Sequence, residues 1–190
     1  MADVAKAEDS EAYEGPYTVT ELSVEDAERD CIARYKNLKP FPRGLADAVI
    51  PEYERELFSI IGQSIFEDPN LQPPIKAIHP FSIGAARIAP GKGTGLHAHD
   101  TEEVLIPLNG RLTVTWGPNG ENETVLEAWD VFSVPAGPMR SFKNETDETV
   151  LLLAVVGGHD GGKLKWHQRV AAAAREHGVE LDDSGVATRD

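Results

Sequence analysis

The feature that most constrains the fold of this chain is a regular alternation of apolar and polar residues between Ile75 and about Gly158. In the stretch RLTVTW, residues 111–116, the apolar side chains occupy every second position. Successive side chains of a β-strand point to opposite faces, so this alternation predicts strands with one buried face. Several short strands separated by closely spaced turns predict a mainly β fold, either a sandwich or a barrel.

The segment before the alternating region is predicted to begin with a helix. The stretch Ser23-Val24-Glu25-Asp26 has the pattern of a capped helix start. We expect the helix to continue to about Lys36 and to bury Ala27, Cys31 and Tyr35 on one stripe.

Two further segments carry helix signals. Residues 51–61 fit either state, because Pro51 suits a first helical turn whereas the apolar run of residues 57–61 suits a strand. An Ala-rich helix is predicted from about Trp166 to His177, and Gly178 suits the left-handed position that follows a helix.

These patterns divide the chain into a predicted barrel and its flanks. An acidic flexible tail is expected over residues 1–22, followed by a helical or extended segment, residues 23–74, that packs on the barrel. The β-barrel is predicted over residues 75–158, a C-terminal helix over residues 159–178 and a second tail over residues 179–190. Both tails are poor in apolar residues, which is typical of mobile ends.

Charge and composition limit the classes of partner. The chain has 32 acidic and 18 basic residues, and its formal net charge of -14 repels nucleic acid. We expect no membrane partner either, since no stretch approaches the roughly 20 apolar residues of a membrane span. The first residues lack the pattern of a secretory signal, and the single cysteine, Cys31, fits a reducing compartment. We therefore expect a cytoplasmic protein.

Three candidate metal ligands lie close together in the sequence. His97 and His99 are two residues apart and Glu103 keeps the same parity, so in extended chain all three face one side. Two imidazoles and one carboxylate form the facial triad of non-haem iron, which leaves coordination positions open. Nitrogen and oxygen ligands without sulfur fit Fe, Mn, Ni or Zn as the divalent cofactor, and the sequence does not choose among them.

The same stretch resembles the first motif of the cupin superfamily. In that motif a glycine is followed at fixed intervals by two histidines, a glutamate and a second glycine, and here Gly91, His97, His99, Glu103 and Gly110 meet every spacing. The resemblance implies that the two histidines and the glutamate are metal ligands.

A later stretch, WDVFSVPAGPMRSFKN, resembles the second cupin motif with two departures. Pro135, Gly137 and Asn144 match the motif. Trp129 replaces its glycine, and Arg140 replaces the histidine that is normally the fourth ligand. The resemblance covers about half of the chain and implies a small double-stranded β-helix barrel, or jelly roll, and a homodimer.

Arg140 cannot ligate a metal, because a guanidinium carries a permanent charge and no free lone pair. Three functional interpretations follow. Arg140 pairs with Glu103 and fills the place of the ion, or it turns away and leaves a three-ligand metal, or it clamps a carboxylate or enolate oxygen of a substrate. A structural salt bridge on the barrel wall is the fourth interpretation.

The remaining histidines are weaker candidates. His79 could supply a nitrogen from a neighbouring strand, although a histidine on the barrel wall or surface is the more common case. We expect His159, His167 and His177 at the surface.

Two functions are compatible with these residues. The first is a metal-dependent, dioxygenase-like enzyme that acts on a small organic acid or diketone-like compound, with isomerase or lyase chemistry open on the same site. The second is a non-catalytic cupin that binds or senses a small molecule, with or without metal, since a fold does not fix a function.

Overall fold

The computed structural model of this 190-residue chain describes residues 20–41, 44–62, 72–158, 161–179 and 181. Ten strands in these residues form two five-stranded sheets whose neighbouring strands are all antiparallel. The strands are β1 (Glu56–Ile61), β2 (Phe81–Ile88), β3 (His97–His99), β4 (Glu103–Pro107), β5 (Arg111–Trp116), β6 (Asn122–Glu127), β7 (Phe132–Val134), β8 (Arg140–Lys143), β9 (Val150–Gly157) and β10 (Leu164–Trp166).

One sheet has the strand order β1-β2-β9-β4-β7, and the other has the order β10-β3-β8-β5-β6. Consecutive strands thus alternate between the sheets over much of the chain, and this arrangement confirms the predicted mainly β jelly-roll barrel. The alternation that suggested it is also confirmed in β5, where Leu112 and Val114 are fully buried between the sheets and Arg111 is exposed.

The predicted N-terminal helix is shorter than expected. Helix α1 spans Val24–Asp26 and continues as a π-helical turn over Ala27–Cys31, so the prediction that it reaches Lys36 was wrong. The predicted cap is present, since the Asp26 amide donates to Ser23 Oγ at 3.0 Å.

The predicted buried stripe of this helix is also absent. Ala27 is only half-buried, and Cys31 and Tyr35 are exposed. Instead of lying on a helix face, Tyr35 belongs to a short 3₁₀ turn, Tyr35–Asn37, and its ring lies 5.6 Å from the ring of Phe58. With so little apolar surface covered, the helix has no packing to extend it.

Residues 51–61, which fitted either state, contain both a turn and a strand. A 3₁₀ turn spans Pro51–Tyr53, and β1 follows and pairs along β2. The strand prevails because Leu57 and Phe58, which point to opposite faces, are both buried there. β1 therefore lies in the same sheet as β2, although it precedes residue 75, where the barrel was predicted to begin.

The predicted C-terminal helix is present as α2 (Gln168–Glu176). It begins at Gln168 and not at Trp166 as predicted, because Trp166 is the last residue of β10 and His167 has an extended backbone. The His167 side chain accepts a hydrogen bond from the Arg169 amide and so caps the helix. Gly178 follows with a φ of 83°, as expected for a residue that ends a helix. No helix in the described ranges is long and apolar enough to cross a membrane.

Most of the two predicted tails and His159 lie outside the described residues.

Trp129 keeps the backbone conformation of the glycine that it replaces in the second motif. Its φ is 72°, which makes it the one non-glycine residue with positive φ among those described. The Trp129 amide donates to Pro107 O at 2.7 Å, and this contact holds the turn between β6 and β7. The indole itself is 72% exposed, so little packing compensates for the backbone strain.

We predict that Trp129→Gly raises the free energy of unfolding by about 1 kcal/mol. A left-handed conformation costs an L-residue roughly 1–2 kcal/mol, and the lower entropy of the unfolded tryptophan chain offsets part of that gain. Urea unfolding measures the change, with Trp129→Ala as the control because alanine keeps the strain. Equal stability of the glycine and alanine variants would contradict the prediction.

Candidate metal centre

The structure brings the three predicted ligands together inside the barrel. His97 and His99 lie on β3 and Glu103 begins β4, and one candidate ligand atom from each lies within 4.8 Å of the others. Their exposed fractions are 4%, 2% and 3%, so the group is shielded from solvent. No ligand from β8 completes the set, because Arg140 stands directly opposite His97 in the strand register.

His97 is oriented so that its Nε2 is available to bind a metal. Its Nδ1 lies 2.8 Å from Gly95 O, and a carbonyl oxygen only accepts hydrogen bonds, so Nδ1 carries the hydrogen. Nε2 therefore keeps a lone pair. The ring also packs 5.3 Å from the indole of Trp166 on β10, which fixes its plane.

His99 is the most informative residue of the site. Both of its ring nitrogens are buried and lack a hydrogen-bond partner among the described residues. Leaving a buried polar group unpaired costs about 1–3 kcal/mol, so such a side chain is rarely retained without a use. A metal ion would take the lone pair of a neutral imidazole, and the donor set of two nitrogens and one carboxylate suits a divalent transition metal.

Arg140 is bound to Glu103 and does not turn away from the site. Its Nε and Nη2 donate to Oε2 of Glu103 at 3.0 and 2.9 Å, and the arginine is fully buried. Both contacts involve the same carboxylate oxygen and leave Oε1 for another partner. Hydrogen bonds of this kind commonly orient a carboxylate that ligates a metal.

Burial determines the protonation of the histidines. It lowers the pKa of His97 well below its ordinary value, and the nearby positive charge of Arg140 acts in the same direction. The pKa of His99 is lowered by burial first, then by His97 and Arg140. Both rings are therefore neutral near pH 7, the form that binds a metal. Burial raises the pKa of Glu103, and Arg140 opposes that shift.

A second buried ion pair supports the loop that leads into β3. Asp47 accepts hydrogen bonds from the Gly95 amide at 2.8 Å and from Thr94 Oγ1 at 2.9 Å. The same carboxylate pairs with Arg55 Nη1 and Nη2 at 3.0 and 3.1 Å. Since Gly95 O receives the hydrogen of His97, Asp47 holds the amide of the same residue whose carbonyl oxygen contacts the first candidate ligand.

Asp47 and Arg55 were missed by the sequence reasoning. They lie in the segment before the barrel motifs, and no spacing rule links them to Gly95 or His97. Asp47 lies inside the apolar run LADAVI, residues 45–50, and this was the one available signal, since charges are almost never fully buried unless they are paired. Arg55 stands between Glu54 and Glu56, so its sequence neighbourhood gave no such signal.

The cavity beside the ligands is small. It measures about 40 Å³, which is room for a few water-sized groups. Its polar lining comes from Arg55, Thr94, His97 and Glu103, and small residues of β2 and β9 leave the space open; these are Gly84, Ala85, Ala86 and Ala154.

The other histidines within the described ranges do not join this group. His79 is half-buried before β2 and packs on Phe81 at a ring distance of 5.2 Å, as expected for a wall or surface residue. His167 caps α2, and His177 is exposed at its end.

Comparison with known proteins agrees with this fold. The family model described as "Cupin domain" matches residues 84–156. An oxalate decarboxylase from Lactobacillus farciminis, solved with formate, has a TM-score of 0.50 and 20% identity over 72% of this chain and 36% of its own. A structure of DMSP lyases has a TM-score of 0.53 and 16% identity over 69% of this chain and 63% of its own.

An oxalate oxidase structure is similar over a shorter stretch, with a TM-score of 0.41 and 22% identity over 45% of each chain. This chain therefore spans less than half the length of the oxalate oxidases that it matches. No curated protein matches the sequence.

We predict that the metal-free protein loses stability as pH falls below the ordinary histidine pKa of 6.5. His97 and His99 have lowered pKa values in the folded state, so below pH 6.5 the unfolded chain binds more protons and is favoured. Two such groups cost roughly 2–3 kcal/mol between pH 7.5 and 5.5.

Urea unfolding of chelator-treated protein at both pH values measures the difference. The double variant His97→Gln with His99→Gln is the control and should lose most of the pH dependence. If the free energy of unfolding of that variant changed with pH as much as that of the wild type, the assignment to these two residues would be contradicted.

Proposed function

We propose that this chain, whose residues 84–156 match the cupin domain model, is a metal-dependent enzyme in which His97, His99 and Glu103 hold a divalent transition metal and that its substrate is a small organic acid. The observation that carries the proposal is His99, whose two ring nitrogens are buried beside a second imidazole and a carboxylate and have no hydrogen-bond partner among the residues that the structure describes. A bound Fe, Mn, Ni or Zn ion would supply Lewis acidity and, for iron or manganese, redox chemistry.

The charge balance of the site supports an anionic substrate. Glu103 and Arg140 cancel each other, and the two histidines are neutral. With a divalent metal the buried site carries about two positive charges, which favour the binding of a carboxylate or enolate in a low-dielectric cavity. The volume of about 40 Å³ restricts that substrate to a small molecule.

The residues of this chain have separable roles in the proposed enzyme. His97 offers Nε2 because Gly95 O engages its Nδ1 hydrogen. Arg140 holds Oε2 of Glu103 and is not among the residues that line the cavity, so the clamp on a substrate acid that the sequence suggested for Arg140 stays a prediction. Apolar side chains, among them Leu105 and Leu152, exclude water from the cavity and strengthen these charges.

We favour oxygen-dependent, dioxygenase-like oxidation of the acid, because three protein ligands leave room for two further partners. Isomerase or lyase chemistry would use the same residues without oxygen, and consumption of dioxygen by the iron-loaded protein separates the two classes. The homodimer and the cytoplasmic location expected from the sequence stay predictions.

A metal-free binding protein is the second candidate, and the Arg140–Glu103 pair is the observation that favours it. Arg140 satisfies the Glu103 charge at 2.9 Å without any ion. A barrel closed in this way would bind or sense a small molecule without turning it over.

We predict about one metal ion per chain in protein purified without chelators, measured by inductively coupled plasma mass spectrometry. His97→Ala and His99→Ala should each lose most of the metal, whereas His177→Ala, at an exposed site, should retain it. Absence of metal from the wild type after reconstitution with Fe(II), Mn(II), Ni(II) and Zn(II) would favour the metal-free candidate.

We also predict that Arg140→His binds Zn(II) more tightly than the wild type, by about tenfold, or about 1.4 kcal/mol. The imidazole would supply the fourth ligand, whereas the control Arg140→Leu removes the guanidinium and supplies none. Without metal, both variants should be destabilised by roughly 3–5 kcal/mol, because Glu103 is left buried and unpaired. Equal Zn(II) affinity of the two variants would show that position 140 does not face the ion.

A further inference from the structure

Arg55 has a hydrogen-bond donor that its surroundings leave unused. The side chain is 2% exposed, and its Nη1 and Nη2 bind Asp47, with further contacts from Nη1 to Tyr53 O at 2.6 Å and Gly93 O at 3.3 Å. Its Nε, in contrast, is buried and has no hydrogen-bond partner within the described part of the chain. A buried N–H without an acceptor is unfavourable in the folded state, which makes it a candidate ligand contact.

The charge of Arg55 is already compensated. Asp47 binds the two terminal nitrogens side by side with its two oxygens, in the paired geometry that suits a guanidinium and a carboxylate. The remaining Nε–H is therefore a donor on a neutral ion pair. It suits an uncharged acceptor, such as a carbonyl or hydroxyl oxygen, better than a second carboxylate, whose charge would be left uncompensated.

Arg55 also lies in the right cavity. It lines the same 40 Å³ space as His97 and Glu103, and most of the other lining residues are apolar. A molecule bound at the metal centre thus meets one further arginine, and this residue comes from outside the span 84–156 that matches the cupin family.

We propose that Arg55 binds a second, uncharged oxygen of the ligand through Nε–H, so that the preferred substrate class is a small oxo or hydroxy acid. The acid group of that molecule faces the centre of His97, His99 and Glu103, and its carbonyl or hydroxyl oxygen accepts the hydrogen bond from Arg55. The placement of the acid group beside His97, His99 and Glu103 rests on the proposed function. The hydrogen bond from Arg55 to the second oxygen does not require a metal.

Ser82 provides a matched control for this assignment. Its Oγ is likewise buried and unpartnered within the described residues, and it lies on the same strand as the cavity-lining Gly84 and Ala86. Ser82 does not itself line the cavity. Ser82→Ala should therefore change stability without changing ligand preference.

The test compares pyruvate with propanoate, which differ by one ketone oxygen on the same chain length and are small enough for a cavity of this kind. Isothermal titration calorimetry gives both dissociation constants for Zn(II)-loaded and for chelator-treated protein. We expect the wild type to prefer the oxo acid by about tenfold, as one buried hydrogen bond allows. Arg55→Lys keeps a positive charge beside Asp47 but lacks Nε–H, so its preference should fall to about twofold or less, while Ser82→Ala keeps it.

A second measurement covers the case in which Arg55→Lys fails to fold. The Nε–H resonance of Arg55 in the wild type, assigned by side-chain correlations, should shift on addition of pyruvate and not on addition of propanoate. An unmoved resonance would overturn the proposal without any variant.

The outcomes also separate this proposal from the proposed function. A preference that is absent from the wild type, or unchanged in Arg55→Lys, overturns the role of Arg55 even if metal and acids bind. Failure of both acids to bind overturns it together with the acid substrate class. If the protein never binds metal but still prefers the oxo acid in an Arg55-dependent way, the role of Arg55 is supported and the proposal of a metal-dependent enzyme is contradicted.

Discussion

The site depends on the balance of one buried charge. Glu103 lies inside the barrel with 3% of its surface exposed, where an isolated carboxylate would take up a proton rather than stay charged. Arg140 supplies the opposite charge from the facing sheet, on a strand that is paired with that of His97. The charged form that a metal needs is thus stabilised by a residue that cannot itself bind the metal.

This balance gives the replacement of the motif histidine a physical meaning. A histidine at position 140 would add a lone pair to the site, whereas arginine adds a permanent positive charge and fixes one oxygen of Glu103. The barrel keeps three candidate ligands and gains a cation beside them. Such a site suits an anionic molecule better than a four-ligand centre does, because less of its charge is neutralised by the protein.

Much of the fold and the centre of the site could be predicted from the sequence, because both depend on local spacing. The alternation in β5 reports one buried face, and the spacing of His97 and His99 places their side chains on one side of β3. Glu103 reaches the same site from β4, in the other sheet, so parity along an extended chain does not account for its position. The direction of Arg140 could not be predicted, since it depends on a partner on another strand. The length of helix α1 was overestimated for a similar reason, because capping residues indicate where a helix starts but only packing decides how far it runs.

Asp47 and Arg55 illustrate the same limit at longer range. Their contacts with Gly95 and Gly93 join parts of the chain that are far apart in sequence, and no local pattern encodes such a pair. Trp129 is a further case that a residue-by-residue view does not explain, because a bulky side chain occupies a left-handed turn position that usually favours glycine.

The hydrogen bond from the Gly95 amide to Asp47 and the packing of His97 on Trp166 have a consequence for how this site is inherited. Asp47 precedes the matched span 84–156 and Trp166 follows it. The matched span alone therefore does not contain all the residues that position His97. A recombination event that exchanged only the barrel would transfer the ligands without the residues that orient them. Divergence of the flanking segments is therefore a route by which chains with identical motifs acquire different chemistry.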